Sequence, residues 1–513
     1  SGETRAYRQV LRDAKRRVVR EVLGGGLNRL SDLLARTCER HRAARDFTSD
    51  QLRDALCELV ACLPVYRTYI NAEKGVIEKE DARLVERAVA ETLSAGEIEG
   101  GSGDGTGPGE GGAADPEVLG FIRDLLLLRR TGRDETEFVM RFQQFTGPAM
   151  AKGGEDTALY RYHRLTALNE VGGDPEHFGL AIAEFHQAMD ERARGFPSAM
   201  LATSTHDTKR SEDVRARLAL LSEIPGRWEE AVSRWWAHNR AHRARGSPDP
   251  NSEYLLYQTL VGAWPLDRER AAVYMEKAAR EAKVRTSWTD PDHAYEEGLR
   301  SFVSALYDDR ELMDDLDSFA AGLVEPGRIN SLAQTLIKMT APGVPDLYQG
   351  CELWDLSLVD PDNRRPVDFD LRRALFRELE ELEAGCGEDL PERVLEKMDQ
   401  GLPKLWLIRQ ALRLRAGRPG LFAPGSAYTP LQVGGARSGH LVAFRRGGGP
   451  GGAAAVLAPR FPILLGGSWG DTVVELPGGA WRNLLTGERV PGGRADAADL
   501  LRRFPAALLA TEG

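Results

Sequence analysis

Phe196 to Asp213 reads FPSAMLATSTHDTKRSED, and the fold class turns on how this stretch is read. A proline precedes a short run of apolar and threonine residues that ends in polar ones near Asp207. That is the pattern of a buried strand delivering side chains at its C-terminal tip. Parallel barrels place catalytic groups at such tips. From Ser211 to about Gly322 the apolar spacing becomes helical, with a break at Gly246 to Asn251 (GSPDPN). Trp228, Trp235 and Trp236 fall at core spacing within it, which predicts packing. A second strand, interrupted by prolines, is predicted at Met339 to Tyr348 (MTAPGVPDLY).

Upstream, Thr4 to Leu63 repeats apolar residues at helical intervals, for example Val18, Val19, Val22 and Leu23. Leu63 to Ile70 (LPVYRTYI) switches to β-branched and aromatic composition after a proline and predicts a strand. Half of Glu99 to Ala114 (EGGSGDGTGPGEGGAA) is glycine, so the entropy of ordering it would not be recovered and a flexible loop is expected. A phosphate cradle is not expected there, because no strand precedes the glycines and no Gly-Lys-Ser/Thr follows. Helical spacing resumes at Asp115 and runs, with breaks, to about Arg194. Beyond Pro419 come short alternating runs between glycines (Leu441 to Phe444, Ala454 to Ala458, Thr472 to Leu476, Leu508 to Ala510), the signature of a small antiparallel domain. The expected division is 1–62 helical; 63–200 strand, Gly-rich loop and helices; 201–417 strands and helices with a helical insertion at 211–322; and 418–513 a β-domain.

A chain of 513 residues is too long for one ordinary core, so two or three packed units are expected. Its 42% hydrophobic and 28% charged content is that of a globular protein, and no apolar run approaches the roughly 18 residues of a membrane helix. A net charge of −10 argues against nucleic acid as a partner. Cys38, Cys57, Cys62, Cys351 and Cys386 are odd in number and form no CxxC pair, so reduced thiols, a cytoplasmic location and no zinc site are expected. Ser1 is followed by a charged amphipathic stretch, from which no signal peptide is expected. No cofactor and no metal are predicted.

Three clusters mix charged, aromatic and glycine residues more densely than cores do: Phe142 to Tyr162, Ser204 to Asp213 and Pro342 to Asp368. A His and an Asp side by side at a strand end suit a bound sugar, the carboxylate accepting from two vicinal hydroxyls and the imidazole bonding a third. Lys209 and Arg210, close in sequence, would favour the ionised carboxylate. The same residues also read as a helix N-terminus, Asp207 preceding Thr, Lys, Arg, Ser and Glu, and the dipeptide alone does not decide between the two.

Longer motifs decide it. STHDTKRSEDVRARLALLSE (Ser204 to Glu223) resembles the last signature strand region of the alpha-amylase family of glycoside hydrolases, in the extended form of its maltooligosyl trehalose synthase branch. TGPAMAKGGEDTALYRYHRLTALNEVGGDP (Thr146 to Pro175), LPVYRTYI (Leu63 to Ile70) and PGVPDLYQGCELWDLSLVDPDNRRPVDF (Pro342 to Phe369) resemble the same branch in its usual order. The resemblance covers nearly the whole chain and corresponds to the C-terminal two-thirds of such an enzyme.

The resemblance implies an α/β fold, a partial (β/α)8 barrel with large helical insertions and a C-terminal antiparallel β-domain. It implies an isomerase with a maltooligosaccharide substrate, whose reducing-end α-1,4 linkage is converted to an α,α-1,1 trehalose linkage by retaining intramolecular transglycosylation. That chemistry requires two carboxylates about 5 Å apart and a cavity that excludes water. Asp207 takes the role of the third carboxylate, with His206 beside it. Lys152 and Arg210 are the candidates for gripping reducing-end hydroxyls; Tyr160, Arg161 and Tyr162 for a lid; Tyr66 and Arg67 for the cleft wall; Tyr348, Gln349 and Glu352 for the rim. Arg161 and Arg67 read equally as structural ion pairs. Asp360, Asp362, Asn363, Arg364 and Arg365 read as a subsite loop or a turn, with the turn favoured for Asp362 and Asn363.

The sequence also departs from the family. The strands that carry the nucleophile and the acid/base have no counterpart, and neither Gly132 to Asp134 nor Met275 to Lys277 reads as a strand tip. An inactive chain needing a missing N-terminal half as partner is therefore expected. LGGGLNRL (Leu23 to Leu30) has three glycines where a helix is implied, each costing about 1 kcal/mol relative to alanine. Two other readings stand beside the isomerase: an α-1,4-glucan hydrolase or transferase of the same family, and a noncatalytic glucan-binding protein.

Overall fold

The structure, a computed structural model, describes residues 4–101, 114–243, 246–449 and 451–512. The chain divides into two compact units, Ser1–His163 with Lys277–His293, and Arg164–Glu276 with Ala294–Gly513. The predicted glycine-rich loop lies outside the described residues over 102–113, while 99–101 end a helix.

Unit one is helical: α1 (Tyr7–Glu21), α2 (Gly24–Glu39), α3 (Ser49–Cys62), α4 (Lys79–Gly101), α5 (Pro116–Leu126) and α6 (Arg133–Met150). Local chemistry starts these helices. Thr48 and Gln51 form a reciprocal capping box on α3 (3.3 and 2.9 Å), and Asp115 accepts from Glu117 N (2.9 Å) ahead of Pro116 on α5. The three glycines are the first turn of α2 all the same, and Gly26 lies under the Phe145 ring. Leu30, Leu56, Val60, Phe121, Ile122, Phe138 and Phe142 fill the core.

The strand predicted at Leu63 to Ile70 does not form; the segment is irregular, followed only by an isolated bridge between Asn71 and Val76. A side chain supplies what a neighbouring strand would have. Buried Gln143 accepts from Ile70 N (2.7 Å) and Thr68 Oγ1 (3.0 Å), and its amide donates to Ile70 O (2.9 Å). Asp81 accepts from Tyr69 N (3.2 Å) and Lys15 donates to Leu63 O (2.7 Å). These backbone groups are thus satisfied without a ladder.

Unit two carries α7 (Ile182–Gly195), α8 (Glu212–Ala219), α9 (Pro225–His238), α10 (Pro250–Ala263), the first part of α11 (Arg268–Ala282), α12 (His293–Asp308, from its second residue), α13 (Arg310–Thr340), α14 (Phe369–Gly385), α15 (Leu390–Glu396) and α16 (Leu402–Gly417). Trp228 and Trp235 pack on Phe319 (ring centroids 5.7 and 5.4 Å), as their spacing predicts. Trp236 is only half-buried, with the Arg243 guanidinium 3.6 Å above its ring.

The two strands read from the opening motif and from MTAPGVPDLY shrink to β1 (Met200–Leu201) and β2 (Val344–Pro345), paired in parallel with Met200 opposite Val344 and Leu201 opposite Pro345. Gly343 makes the pairing possible. It sits at φ +127°, where a Cβ would lie 2.7 Å from the Ala199 carbonyl oxygen. This pair is the only parallel sheet among the described residues, and they form no closed cylinder.

The antiparallel sheet expected after Pro419 is present. Strands β3 (Tyr428–Pro430), β4 (Val433–Gly434), β5 (Leu441–Gly449), β6 (Gly452–Pro459), β7 (Val473–Asn483), β8 (Arg489–Asp496) and β9 (Ala507–Thr511) take the order β3-β5-β6-β9-β7-β4, with β8 on β7. Central β6 is buried on both faces. Ala454, Val456 and Ala458 join the core that holds Leu336 and Trp406, while Ala455 and Leu457 join Val474, Trp481 and Leu509 opposite. Strand β8 (RVPGGRAD) has no apolar alternation to reveal it and was not expected. Among the described residues no helix is long and apolar enough to cross a membrane.

Candidate active site

The predicted site residues divide between the units. His206, Asp207, Arg210, Tyr348, Gln349 and Glu352 belong to unit two, and Tyr66, Arg67, Lys152, Tyr160, Arg161 and Tyr162 to unit one.

In unit two, β1 and β2 run side by side and in the same direction, so the loops that leave their C-terminal ends, 202–211 and 346–368, emerge as neighbours. Open parallel sheets bind ligands at such ends. The first loop closes into a tight turn: Thr208 Oγ1 donates to Thr205 O (2.8 Å), and Thr205 Oγ1 accepts from Asp207 N (3.2 Å). His206 and Asp207 form its tip, 55% and 69% exposed, with His206 Nε2 3.3 Å from Asp207 Oδ2. Helix α8 starts only at Glu212, with Ser204 Oγ accepting from Glu212 N (2.8 Å), so Asp207 is not the cap that its sequence context allowed.

The tip is held from both sides through its backbone. Asn363 Nδ2 donates to His206 O (3.0 Å) and Thr205 O (3.3 Å), and Tyr348 donates to Asn363 O (3.2 Å). The second loop therefore grips the first, and Tyr348 reaches His206 through Asn363. Asp362 forms the turn favoured from sequence: it takes both arms of Arg270 (2.8 Å each) and accepts from Leu358 N (2.7 Å). Glu170 accepts from Lys209 N (2.7 Å) and Arg210 N (3.2 Å). Arg210 is turned inward, 2% exposed, donating to Tyr274 Oη (2.8 Å), so it braces the loop instead of facing solvent. Gln349 is exposed, and Glu352 accepts from Gly350 N (3.1 Å) and Arg372 Nε (3.1 Å).

Beneath the tip lies a charge cluster that the sequence reading missed. Lys404, 0% exposed, meets Glu212 Oε1 (2.7 Å) and both Asp213 oxygens (3.1 and 3.0 Å). Lys338 meets Glu212 Oε2 (3.1 Å) and donates to Thr203 Oγ1 (2.7 Å), and Asp213 accepts from Asp355 N (2.7 Å). Two buried lysines thus answer two buried carboxylates and tie α8, α13, α16 and the second loop together. Burial alone would raise the Glu212 carboxyl, but Lys404 and then Lys338 outweigh it and bring its pKa down to about 2. Burial pushes Asp213 up against the pull of Lys404, while Lys404 is driven above its usual range by Asp213 and Glu212 in spite of burial. One signal was available in the sequence: Lys404 is a lone charge inside LPKLWLI (Leu402 to Ile408).

Glu212 makes this testable in acid. Its folded-state pKa is depressed from 4.5 to about 2, so its stabilisation is complete above about pH 4.5 and lost as the pH falls from there toward 2. Glu212→Gln is expected to flatten the loss of stability across that window in circular dichroism titrations. An acid limb as steep as that of the parent would rule Glu212 out as its source.

In unit one, Ala151–Glu155 forms a π-turn at the end of α6. Gly153 admits α1 there, since a Cβ would lie 2.7 Å from Lys15 Cα. Lys152 is exposed and pairs with Asp156 (2.7 Å), and Tyr66 donates to Glu155 of the same turn. Burial and then Glu155 push the Tyr66 phenol up. Arg67 lies over the Tyr69 ring (5.2 Å). Tyr160 and Tyr162 are buried, Tyr162 packing edge-on to Tyr7 (5.3 Å). Arg161 donates to Ala282 O (2.6 Å), and burial, then Arg17, lowers its pKa to about 10.

No protein-family model matches the chain. A putative maltooligosyl trehalose synthase of Mycobacterium tuberculosis is 39% identical over 381 residues, 73% of this chain and 45% of the relative. Among solved structures, maltooligosyltrehalose synthase from Arthrobacter ramosus is 37% identical with a TM-score of 0.82, over 100% of this chain and 59% of that one. A Sulfolobus tokodaii hypothetical maltooligosyl trehalose synthase is 27% identical with a TM-score of 0.72, over 99% and 58%. The chain thus spans about half the length of the relatives it matches.

Proposed function

Because the chain belongs to the family of the maltooligosyl trehalose synthases, we propose that it supplies one part of an active site that rearranges the reducing end of a maltooligosaccharide from an α-1,4 to an α,α-1,1 linkage. The observation that carries this reading is the solvent-facing His206–Asp207 tip, rigidly held at the end of β1 by backbone bonds that leave both side chains available.

In this reading Asp207 accepts from two hydroxyls of the distorted sugar and stabilises the positive charge that develops on it, and His206 bonds a third hydroxyl. A retaining reaction needs a further pair of carboxylates about 5 Å apart. Among the acids near the tip, Glu170, Glu212 and Asp213 are buried and committed to backbone amides or lysines. We assign the nucleophile and the acid/base to sequence outside these 513 residues, a reading supported by the 45–59% of its relatives that the chain spans. By the same reading β1 and β2 are adjacent staves of a barrel that the remainder completes, with 418–513 as the appended β-domain. In unit two, Tyr348 and Gln349 line the rim and Arg210 braces the loop that carries the tip. In unit one, taken by itself, Lys152 on the π-turn and Tyr66, which bonds Glu155 of that turn, are the candidate substrate contacts, and Tyr160, Arg161 and Tyr162 brace that segment. Glu352 and Arg67 shape their own turns. Five cysteines without a disulfide, four of them buried and Cys386 half-buried, support a reducing, cytoplasmic setting.

Maltopentaose tests the proposal. The chain alone is expected to leave its reducing power unchanged; with the rest of the enzyme supplied as a second polypeptide, reducing ends should disappear without chain shortening. Turnover by the chain alone, or new reducing ends as the main product, would overturn it.

A further inference from the structure

We propose that His238, His242 and Asp309, in unit two, form a binding site for a divalent transition metal of the zinc class. The three side chains offer ligand atoms that all lie within 4.8 Å of one another. Both imidazoles aim the same nitrogen at the same oxygen: His238 Nε2 is 2.7 Å and His242 Nε2 3.2 Å from Asp309 Oδ2. Tetrahedral zinc with ligands at about 2.0–2.1 Å sets neighbouring donors roughly 3.3 Å apart, close to the 3.2 Å between His242 and Asp309, so seating an ion asks His238 to back away from Asp309 by about 0.6 Å. Two neutral imidazoles and one carboxylate make a three-ligand set with a fourth position for water, and its donor softness suits zinc, cobalt or nickel more than magnesium or calcium.

The scaffold is stiff where such a site needs it to be. His238 ends α9, and the chain continues through a 3₁₀ turn, Asn239–Ala241, that His242 closes, its backbone N bonding Asn239 O (3.0 Å). Buried Asn239 donates from within that turn to Tyr257 Oη (2.8 Å). Just after it, Arg243 clasps Glu253 (2.6 and 2.7 Å) and donates to Trp236 O (2.7 Å). Asp309 is equally fixed. Its other oxygen caps α13 by accepting from Leu312 N (3.1 Å), and Trp235 ties α9 to α13 through Asp315 (2.8 Å). The ligands are therefore preorganised, and little ordering entropy is left to oppose binding. With side chains 33%, 27% and 20% exposed, they are open to an ion from solvent. A bound ion would staple the end of α9 to the start of α13, independently of the sugar chemistry.

Zinc chloride titrated into the chelator-stripped full chain, followed by calorimetry, provides the test, with cobalt as a spectroscopic stand-in. One ion per chain is expected, with four-coordinate visible bands for cobalt and a raised unfolding temperature. His238→Ala/His242→Ala should weaken binding by about 100-fold or more and abolish those bands. Asp309→Asn, which retains an N-cap residue, should weaken binding while α13 stays folded. No saturable binding, six-coordinate cobalt bands only, or affinity unchanged in the double variant would each overturn the site.

Discussion

Asp207→Asn is expected to lower turnover of the reconstituted enzyme by about 1,000-fold while leaving the unfolding midpoint unchanged. The two halves of this result have separate physical origins. The Asp207 side chain is 69% exposed and pairs with His206 at 3.3 Å, whereas the turn that presents it is closed by Thr205, Thr208 and Asn363. Exposed substitutions of this kind change stability by no more than about 0.5 kcal/mol. The proposed chemistry, by contrast, places positive charge on the sugar in the transition state, and an amide has no negative charge to meet it. The measurement is loss of reducing ends from maltopentaose, paired with thermal unfolding. Activity within tenfold of the parent would remove Asp207 from the mechanism.

Lys404→Met is expected to be far more damaging to the fold, destabilising unit two by roughly 3–5 kcal/mol, the cost of breaking a buried ion pair from one side. Lys404 touches both carboxylates of the cluster and is wholly buried, and methionine has similar length and no charge. Glu212 would keep Lys338, but Asp213 would lose its cation and keep only the Asp355 amide. The double variant Lys404→Met/Asp213→Asn should recover part of the loss, because it removes the stranded charge. Denaturant unfolding decides the matter. A shift below about 1 kcal/mol for the single variant, within the range of a surface ion pair, would mean that the cluster contributes little.

The placement of the His206–Asp207 tip and of the β-domain was legible in the sequence, for reasons that can be stated residue by residue. A run of apolar residues ending in STHDTKRSED announces a strand tip carrying polar groups, and the exposed His206–Asp207 pair sits where that reading puts it. The β-domain was legible because its strands alternate between glycines, and β8 was not because RVPGGRAD carries no such alternation. The strand read in LPVYRTYI failed for a different reason. Its composition is strand-like, but a strand requires a partner ladder, and the Gln143 amide, 73 residues away, satisfies Ile70 instead.

What the sequence by itself determined is therefore what short-range patterns encode: helices and their caps, the sheet after Pro419, the polar tip after β1 and the family. Tertiary structure alone decided which charges go inside and whom they meet. It turned Arg210 onto Tyr274 and brought Lys404 to Asp213 across 191 positions. It also converged His238 and His242 on Asp309. The physical reason is that a local window can at most show a charge flanked by apolar residues, as at Lys404, but not its partner, and burial becomes tolerable only when an opposite charge or a hydrogen-bonding group arrives from elsewhere in the chain.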